Sequence, residues 1–418
     1  MSQLHKKFTD AQVKEFLQRY LKKEIERKYL QQILGIGKSH FFWLLESYRK
    51  NSQKFTIQYR RHTGHRSIDH KIEKNILEHL VGAKKLIENR DVPIRCYNYS
   101  HIKDRLEEKY DQKVSLPTII DRAKTYGFYL VKHKKSAHDR EVLTRYTGEL
   151  IQHDSSYHLW SPDSHERWHL ITSLDDHSRL ILYAKLVKQE NTWAHILALQ
   201  TVFLQYGLPF SYYVDSHSIF RFVERRDSLW FKHQHMTDQL DPQWKQVLTD
   251  CQVKVIYALS PQAKGKIERP YRWLQDRLVR TCVEDNLTEI FKVQNALNFE
   301  VQRYNFRQVH STTGEVPYYR FQRACREKRS LFRPFRLVPP FKSAKDIFCL
   351  RMDRTVDAYR RISIHTLQLQ VNHVTPGDIL NIRIYPLDHG VCELRFWKKD
   401  QLLDIQRAKI TELHGVHF

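Results

Sequence analysis

The sequence predicts a multidomain protein with all-α modules of the helix-turn-helix type at its N-terminus, an α/β core in the middle and a small all-β barrel at its C-terminus. Its 418 residues exceed what one compact domain usually holds. Apolar residues repeat every three to four positions early in the chain, and the repeat becomes strand-like beyond Tyr146. From Ile347 onward, short alternating runs recur between turn signals, which is typical of a small antiparallel barrel.

The charge of the chain favours a polyanionic partner. Lys and Arg number 70 against 47 Asp and Glu, which gives a formal net charge of +23. Nucleic acid is the first candidate, because each neutralised phosphate releases condensed counterions. A membrane is not expected as a partner, since no apolar run approaches the roughly 20 residues of a spanning helix and the first residues lack the apolar centre of a signal peptide. The six cysteines stand singly, which argues against a zinc module.

Residues 1–52 are predicted to form a first helix-turn-helix, DNA-binding domain. Three short amphipathic helices follow one another, and Gly35 and Gly37 provide the tight turn that such a motif needs before its last helix. That last helix would be the recognition helix, led by Lys38, Ser39 and His40. A plain three-helix packing unit without groove contacts is the alternative.

Residues 53–67 are predicted to form a basic linker. The segment lacks apolar periodicity and centres its charge on Gly64. Linkers of this kind can lie in a minor groove, where Arg60, Arg61 and Arg66 would contact DNA. A solvated tether without fixed contacts is the alternative.

Residues 68–140 are predicted to form a second helix-turn-helix, DNA-binding domain. Ser115 is a plausible N-cap for its third helix. Candidate groove contacts on that helix are Thr118, Arg122 and Lys124, although a simple helical spacer would fit the same pattern. The basic run that ends at Arg140 marks the domain boundary.

Residues 141–310 are predicted to form the α/β core. Three strands, a helix, a strand and a helix follow in turn, which is the order of ribonuclease H. Asp154 lies within the first strand, and Asp215 ends the fourth, where α/β sheets place ligands. Glu268 lies on a basic amphipathic helix laid across these strands. An insertion near 217–241 interrupts the pattern.

Three convergent carboxylates in a basic chain indicate a two-metal site for phosphoryl transfer. Two Mg²⁺ ions can activate a nucleophile and stabilise the leaving oxygen, and Mg²⁺ prefers oxygen ligands. Other acids fall in predicted loops, where an acid is most often a solvated surface group: Asp163, Glu166, Asp175 and Asp176. Basic residues around Glu268 are candidate contacts to DNA phosphates: Lys264, Lys266, Arg269 and Arg272.

Five motifs occur in order: HDSSYHLW, LITSLDDHSRLILYAKL, YYVDSHSIFRF, SPQAKGKIERPYRWLQDRL and YNFRQVHSTTGEVPYYRF. They resemble the DDE transposase and retroviral integrase superfamily, most closely bacterial insertion-sequence transposases with an integrase-type, ribonuclease H-like catalytic core. The resemblance implies that Asp154, Asp215 and Glu268 are the catalytic, metal-binding triad. It also implies Mg²⁺, or Mn²⁺, as cofactor and the element's own terminal DNA as substrate. Ser216 and His217 stand where the superfamily commonly has Asn-Gly, and the insertion lengthens the interval before the glutamate.

Residues 311–345 are predicted to form a post-catalytic segment and a Pro-rich basic linker, and residues 346–418 the small β-barrel domain. Just before them, Arg307 and His310 are candidate phosphate contacts. A structural clasp that returns the chain onto the core is the alternative role for this segment.

The predicted function is that of a DNA transposase, a polynucleotidyl transferase that binds the terminal inverted repeats of an insertion sequence. Mg²⁺-dependent strand cleavage and strand transfer would proceed by direct in-line transesterification. Expected partners are double-stranded DNA, both transposon ends and target, and at least a second copy of the chain. The expected location is the bacterial cytoplasm, in association with the nucleoid. The alternative is a catalytically inactive or domesticated transposase that acts as a sequence-specific DNA-binding regulator.

Overall fold

The structure, a computed structural model, describes residues 4–58, 68–131, 144–214, 243–258, 265–364, 367–413 and 416, with only the backbone of residues 265–269. The chain divides into two compact units, Met1–Lys74 and Asn75–Phe418. Each unit is described by itself.

The first unit contains a three-helix bundle. Its helices are α1 (Asp10–Leu21), α2 (Arg27–Leu34) and α3 (Lys38–Lys50). Gly35 ends α2 with a φ of +62°, a left-handed conformation that glycine adopts without strain. The helices bury an apolar centre around Leu17, Leu30 and Phe41. The three helices therefore lie where the sequence predicts them, and entry of α3 into a DNA groove stays a prediction.

Three further helices follow: α4 (His70–Glu88), α5 (Tyr99–Tyr110) and α6 (Leu116–Thr125). The Ser115 hydroxyl accepts a hydrogen bond from the backbone N–H of Thr118 at 3.3 Å, which confirms the predicted N-cap of α6.

A five-stranded sheet forms the centre of the second unit. Its strands are β1 (Ile151–His158), β2 (Trp168–Asp175), β3 (Ile181–Val187), β4 (Ser211–Val214) and β5 (Lys254–Tyr257). The spatial order is β3-β2-β1-β4-β5, with the first three strands antiparallel to one another and with β4 and β5 parallel to β1. This arrangement fits the predicted ribonuclease H-like α/β core.

Helices cover both faces of this sheet. Helices α7 (Thr192–Tyr206) and α8 (Gln243–Asp250) pack on one face, where Phe203 and Trp244 contact Tyr212 of β4. Helices α9 (Gly265–Glu284) and α10 (Ile290–Phe306) pack on the other, where Leu274 and Leu278 join Leu170 of β2 in one buried cluster. A final helix, α11 (Pro317–Arg326), follows. Successive side chains of β2 alternate between the two helical layers, as in any pleated strand.

The turn after β2 is buried, so the expectation that Asp175 and Asp176 are solvated loop acids is wrong. Both residues are at most 1% exposed. The Asp175 carboxylate accepts hydrogen bonds from the Thr147 hydroxyl at 2.8 Å and from the Gly148 N–H at 2.9 Å. Burial raises the pKa of Asp175, although these hydrogen bonds act in the opposite direction. The two acids therefore anchor the segment that leads into β1.

The C-terminal strands form an antiparallel sheet of the order β11-β10-β9-β6, beside a hairpin of β7 and β8. They are β6 (Leu350–Thr355), β7 (Arg361–Ile364), β8 (Leu367–Gln370), β9 (Ile379–Pro386), β10 (Val391–Lys398) and β11 (Gln401–Lys409). They occupy the predicted alternating runs, and closure into a barrel stays a prediction. Their apolar side chains share one buried cluster with α7 and α8, in which Phe348 meets Phe203 with ring centroids 5.9 Å apart.

The predicted Pro-rich linker is packed against the core. Arg333 pairs with Leu208 in an isolated antiparallel bridge, and its guanidinium donates to the carbonyl oxygen of Gln252 at 3.0 Å. Phe332 and Phe335 pack against the same buried cluster. Among the described residues, none of the helices is both long enough and apolar enough to cross a membrane.

Candidate active site

Asp154 lies near the middle of β1, between β2 and β4 in the sheet. It pairs across the antiparallel ladder with Thr172, and its side chain is partly buried. Directly opposed residues of an antiparallel pair point to the same face of the sheet. The side chain of Thr172 therefore identifies the layer that Asp154 faces.

That layer is helix α9. The Thr172 hydroxyl bonds the phenolic oxygen of Tyr271 at 2.8 Å, and both residues are at least 95% buried. One turn later, the Gln275 amide donates to the hydroxyl of Ser156 at 3.2 Å. Ser156 stands two residues after Asp154 and shares its face, because side chains of a strand repeat every second position. Two polar contacts thus fix α9 over the strand of Asp154.

Of the other two predicted acids, the structure describes only the backbone of Glu268 and nothing of Asp215. Val214 ends β4, which runs parallel to β1 with Gln152 opposite Tyr213. Asp215, the next residue in the sequence, lies outside the described residues. Glu268 lies within α9, and its side chain is not described. The structure therefore places Asp154 on a strand and Glu268 on a helix packed over that strand, as the sequence predicts, and the meeting of all three carboxylates stays a prediction.

A chain of buried polar groups lies on the opposite face of β1 and was missed by the sequence analysis. His153 bonds Ser173 at 2.9 Å and His195 of α7 at 2.8 Å, and His195 in turn bonds Glu190 at 2.9 Å. Burial alone would raise the pKa of Glu190, but the hydrogen bond and charge of His195 lower it to about 2. The residue next to Asp154 is therefore tied to α7 through charged and polar side chains in a buried layer.

The predicted DNA contacts whose side chains the structure describes range from exposed to partly buried. Lys38 and Ser39 begin α3 and are exposed, and His40 is partly buried with its ring 5.9 Å from that of Trp43. Arg60, Arg61 and Arg66 lie outside the described residues, as does Lys264, and the side chains of Lys266 and Arg269 are likewise not described.

On α6 the predicted contacts have protein partners of their own. Thr118 bonds the Ser115 hydroxyl at 2.7 Å, Arg122 pairs with Asp121 at 3.0 Å, and the Lys124 ammonium lies 5.0 Å from the Tyr129 ring centroid. None of these contacts removes the groups from solvent. Arg272 on α9 is exposed.

Two further sequence expectations have a structural outcome. Asp163 is exposed, as expected, and Glu166 accepts from the Trp168 indole at 3.0 Å. His310 is buried, and its backbone N–H donates to the carbonyl oxygen of Glu315 at 2.9 Å. This position favours the structural clasp over a phosphate contact for His310.

The donor chemistry of the site suits a hard divalent cation. Asp154 presents carboxylate oxygens, the ligand type that Mg²⁺ prefers. Within the described ranges, no group of three or more His, Cys, Asp or Glu side chains is placed to hold a metal ion. Asp215 and the side chain of Glu268 lie outside the described residues, so their part in a metal site stays a prediction.

The chain is similar in sequence to curated transposases. It is 28% identical over 277 residues to a candidate transposase, y4bF, of Sinorhizobium fredii, which spans 66% of this chain and 56% of that protein. It is 25% identical over 211 residues to the transposase for insertion sequence IS1202 of Streptococcus pneumoniae, spanning 49% of this chain and 43% of that protein. The chain is a relative of insertion-sequence transposases. It spans about half the length of these transposases, and no protein-family model matches it.

Solved structures of retroviral integrases also match. The HTLV-2 integrase catalytic core domain in complex with magnesium shares 16% identity and a TM-score of 0.30 over 43% of this chain and 98% of that chain. The simian T-cell lymphotropic virus intasome in complex with PP2A regulatory subunit B56 gamma shares 13% identity and a TM-score of 0.34 over 73% of this chain and 94% of that chain. At these scores the fold follows from the sheet order and register of the chain itself.

Proposed function

We propose that this protein is a DNA transposase that binds the terminal inverted repeats of an insertion sequence and catalyses strand cleavage and strand transfer. The observation that carries the proposal is the position of Asp154 on β1, at the centre of a ribonuclease H-like sheet and facing the helix that contains Glu268. The relationship to proteins named as transposases supports the same reaction.

Asp154, Asp215 and Glu268 are the proposed catalytic residues. Their carboxylates would hold two Mg²⁺ ions, or Mn²⁺, per active site, in keeping with the oxygen donors that these ions prefer. When bound, such a pair supplies charge stabilisation for both the attacking and the leaving oxygen of an in-line displacement. The exposed Arg272 lies on the same helix as Glu268 and would position a DNA phosphate beside it.

The chain's own contacts would keep these groups in register during the reaction. The bonds from Thr172 to Tyr271 and from Gln275 to Ser156 restrain α9 against the strand of Asp154. Because the reaction needs the oxygen donors held close to their productive positions, small shifts of α9 would slow strand transfer.

DNA is the proposed partner, both as transposon ends and as target. Proposed contacts are Lys38, Ser39 and His40 on α3, Arg60, Arg61 and Arg66 in the basic linker, Thr118, Arg122 and Lys124 on α6, and Lys264, Lys266, Arg269 and Arg272 around Glu268. The net charge of +23 suits this polyanion. A homodimer or larger assembly is proposed, because two ends need two active sites, and so is action at the bacterial nucleoid.

The test compares purified wild type with Asp154→Asn and Glu268→Gln on DNA duplexes taken from the flanks of the coding sequence, with Mg²⁺ present. Asp163→Asn is the matched control, because Asp163 is an exposed acid of the same core. We expect cleaved and joined products from wild type and the control and none from the two variants. Equal product from all four proteins would remove the catalytic assignment. Binding without product from wild type would favour the non-catalytic regulator.

A further inference from the structure

Helix α5 presents a charged face to the α/β core. Asp104, Arg105 and Glu108 lie on this face together with His101, at the spacing of one helical stripe. Arg105 and His101 are both more than 90% buried. From the sequence alone, such a charged stripe would be expected to face water. In the structure it packs against α9 and α10 instead.

Arg277 of α9 is the centre of these contacts. It is 1% exposed, and its guanidinium donates to Asp104 of α5 at 2.6 Å and to Glu300 of α10 at 2.8 Å. Asp104 also accepts from Arg303 of α10 at 2.9 Å. One aspartate of α5 thus joins the two core helices through two buried arginines.

A second set of contacts lies at the end of α9. Glu284 pairs with Arg105 at 2.9 Å and with His101 at 3.2 Å. Burial would raise the pKa of Glu284, but the hydrogen bond and charge of His101 lower it to about 2. Arg105 also pairs with Asp285. The charged contacts therefore run from Arg277 to the C-terminal end of the helix.

Apolar and backbone contacts complete this interface. Val279 and Val283 of α9 pack against Val92 and Ile94, which precede α5. The guanidinium of Arg280 donates to the carbonyl oxygen of Cys96. The second half of α9 is thus held from several sides by residues that precede or form α5.

We propose that Asp104 and Arg277 are positioning residues, through which α5 sets the placement of the active-site helix α9. Buried ion pairs contribute little net stability, but removing one partner leaves the other charge uncompensated, so the pairs define one relative placement of the helices. Arg277 lies nine residues after Glu268 in the same helix, about 14 Å along its axis. Pro270 interrupts the backbone hydrogen bonding of α9 between Glu268 and Arg277, so a change at Asp104 reaches the strand of Asp154 through the part of α9 that follows Pro270 and contains Tyr271 and Gln275. This inference rests on the proposed function for its activity readout only.

The first test measures hydrogen exchange of the α9 backbone amides in the full-length protein. Asp104→Asn removes one charge from the pair with the buried Arg277, and Glu107→Gln on the same helix is the matched control, because no ion pair involves Glu107 in the described part of the chain. We expect exchange in α9 to become about tenfold faster in Asp104→Asn and to stay unchanged in Glu107→Gln. Unchanged exchange in a folded Asp104→Asn protein would overturn the proposal.

The second test separates DNA binding from chemistry. With pre-cleaved end duplexes, we expect Asp104→Asn to lower the single-turnover joining rate about tenfold and to keep the Kd for the duplex within about twofold of wild type. Parallel loss of binding and rate would indicate general disruption and would overturn the positioning role. If Asp104→Asn does not fold, Glu108→Gln, which loses its partner Arg303 at the edge of the interface, takes its place. If wild type joins no DNA, the proposed function fails while the exchange experiment still decides the coupling.

Discussion

The hydrogen bond between Thr172 and Tyr271 provides the sharpest test of how α9 is held over the strand of Asp154. The two side chains are 3% and 5% exposed, and their oxygens are 2.8 Å apart. Tyr271→Phe leaves the Thr172 hydroxyl buried without this partner, which costs about 1–2 kcal/mol. Thr172→Val costs a similar amount, about 1–2 kcal/mol, because the tyrosine then loses its donor.

The double variant is the informative one. Removing both partners leaves no uncompensated group from this bond, so we expect the pair of changes to cost about 1 kcal/mol less than the sum of the single changes. Native-state hydrogen exchange of the α9 amides is the suitable assay, because it reports opening of one segment in a chain of two units, which is not expected to unfold in one step. A difference of about 1.4 kcal/mol corresponds to a tenfold change in exchange.

The control for the comparison of the single and double variants is Tyr157→Phe, since Tyr157 lies on β1 and is 57% exposed. It should change the opening free energy by less than about 0.5 kcal/mol. If the double variant costs the sum of the single variants to within about 0.5 kcal/mol, the two side chains are not coupled and the contact does not hold α9.

Two further predictions concern the buried layer and the backbone. The pKa of Glu190 is lowered from 4.5 to about 2, so the stability that this carboxylate contributes is complete above pH 4.5 and is lost as the pH falls towards 2. Glu190→Gln should therefore be less stable than wild type at pH 7, and its Tm should depend less on pH between 4.5 and 2. The control Glu107→Gln should keep the pH dependence of the wild-type Tm. Gly207→Ala should destabilise the protein by about 1–3 kcal/mol in thermal unfolding, because φ is +99° and the added Cβ would lie 2.5 Å from the Arg333 carbonyl oxygen. Gly82→Ala, in α4 with no atom within 4 Å of the added Cβ, should stabilise it by about 0.5–1 kcal/mol; equal effects of the two alanines would contradict this explanation.

The sequence predicted those features that depend on neighbours close in the chain. The N-cap at Ser115 is an interaction across three residues, and the strand around Asp154 follows from local alternation. The order of strands and helices then leaves few ways to form the sheet, because connections are short and parallel crossovers have one hand.

Features that depend on distant partners were not predictable in this way. The burial of Asp175 requires Thr147, 28 residues earlier, and the bond between His153 and His195 spans 42 residues. The pair of Asp104 and Arg277 spans 173 residues. A charged side chain has the same local pattern whether it faces water or an opposite charge, so only the tertiary structure separates the two cases.

The shared apolar cluster of the C-terminal sheet and the α/β core constrains how this chain can evolve. Phe348 contacts Phe203, and Arg351 exchanges two hydrogen bonds with the side chain of Gln243 in α8. A recombination event that replaced residues 346–418 with the equivalent part of a distantly related protein would introduce side chains that do not pack against those of α7 and α8. Inheritance of the two parts as one block, with paired substitutions across their boundary, is the expected pattern.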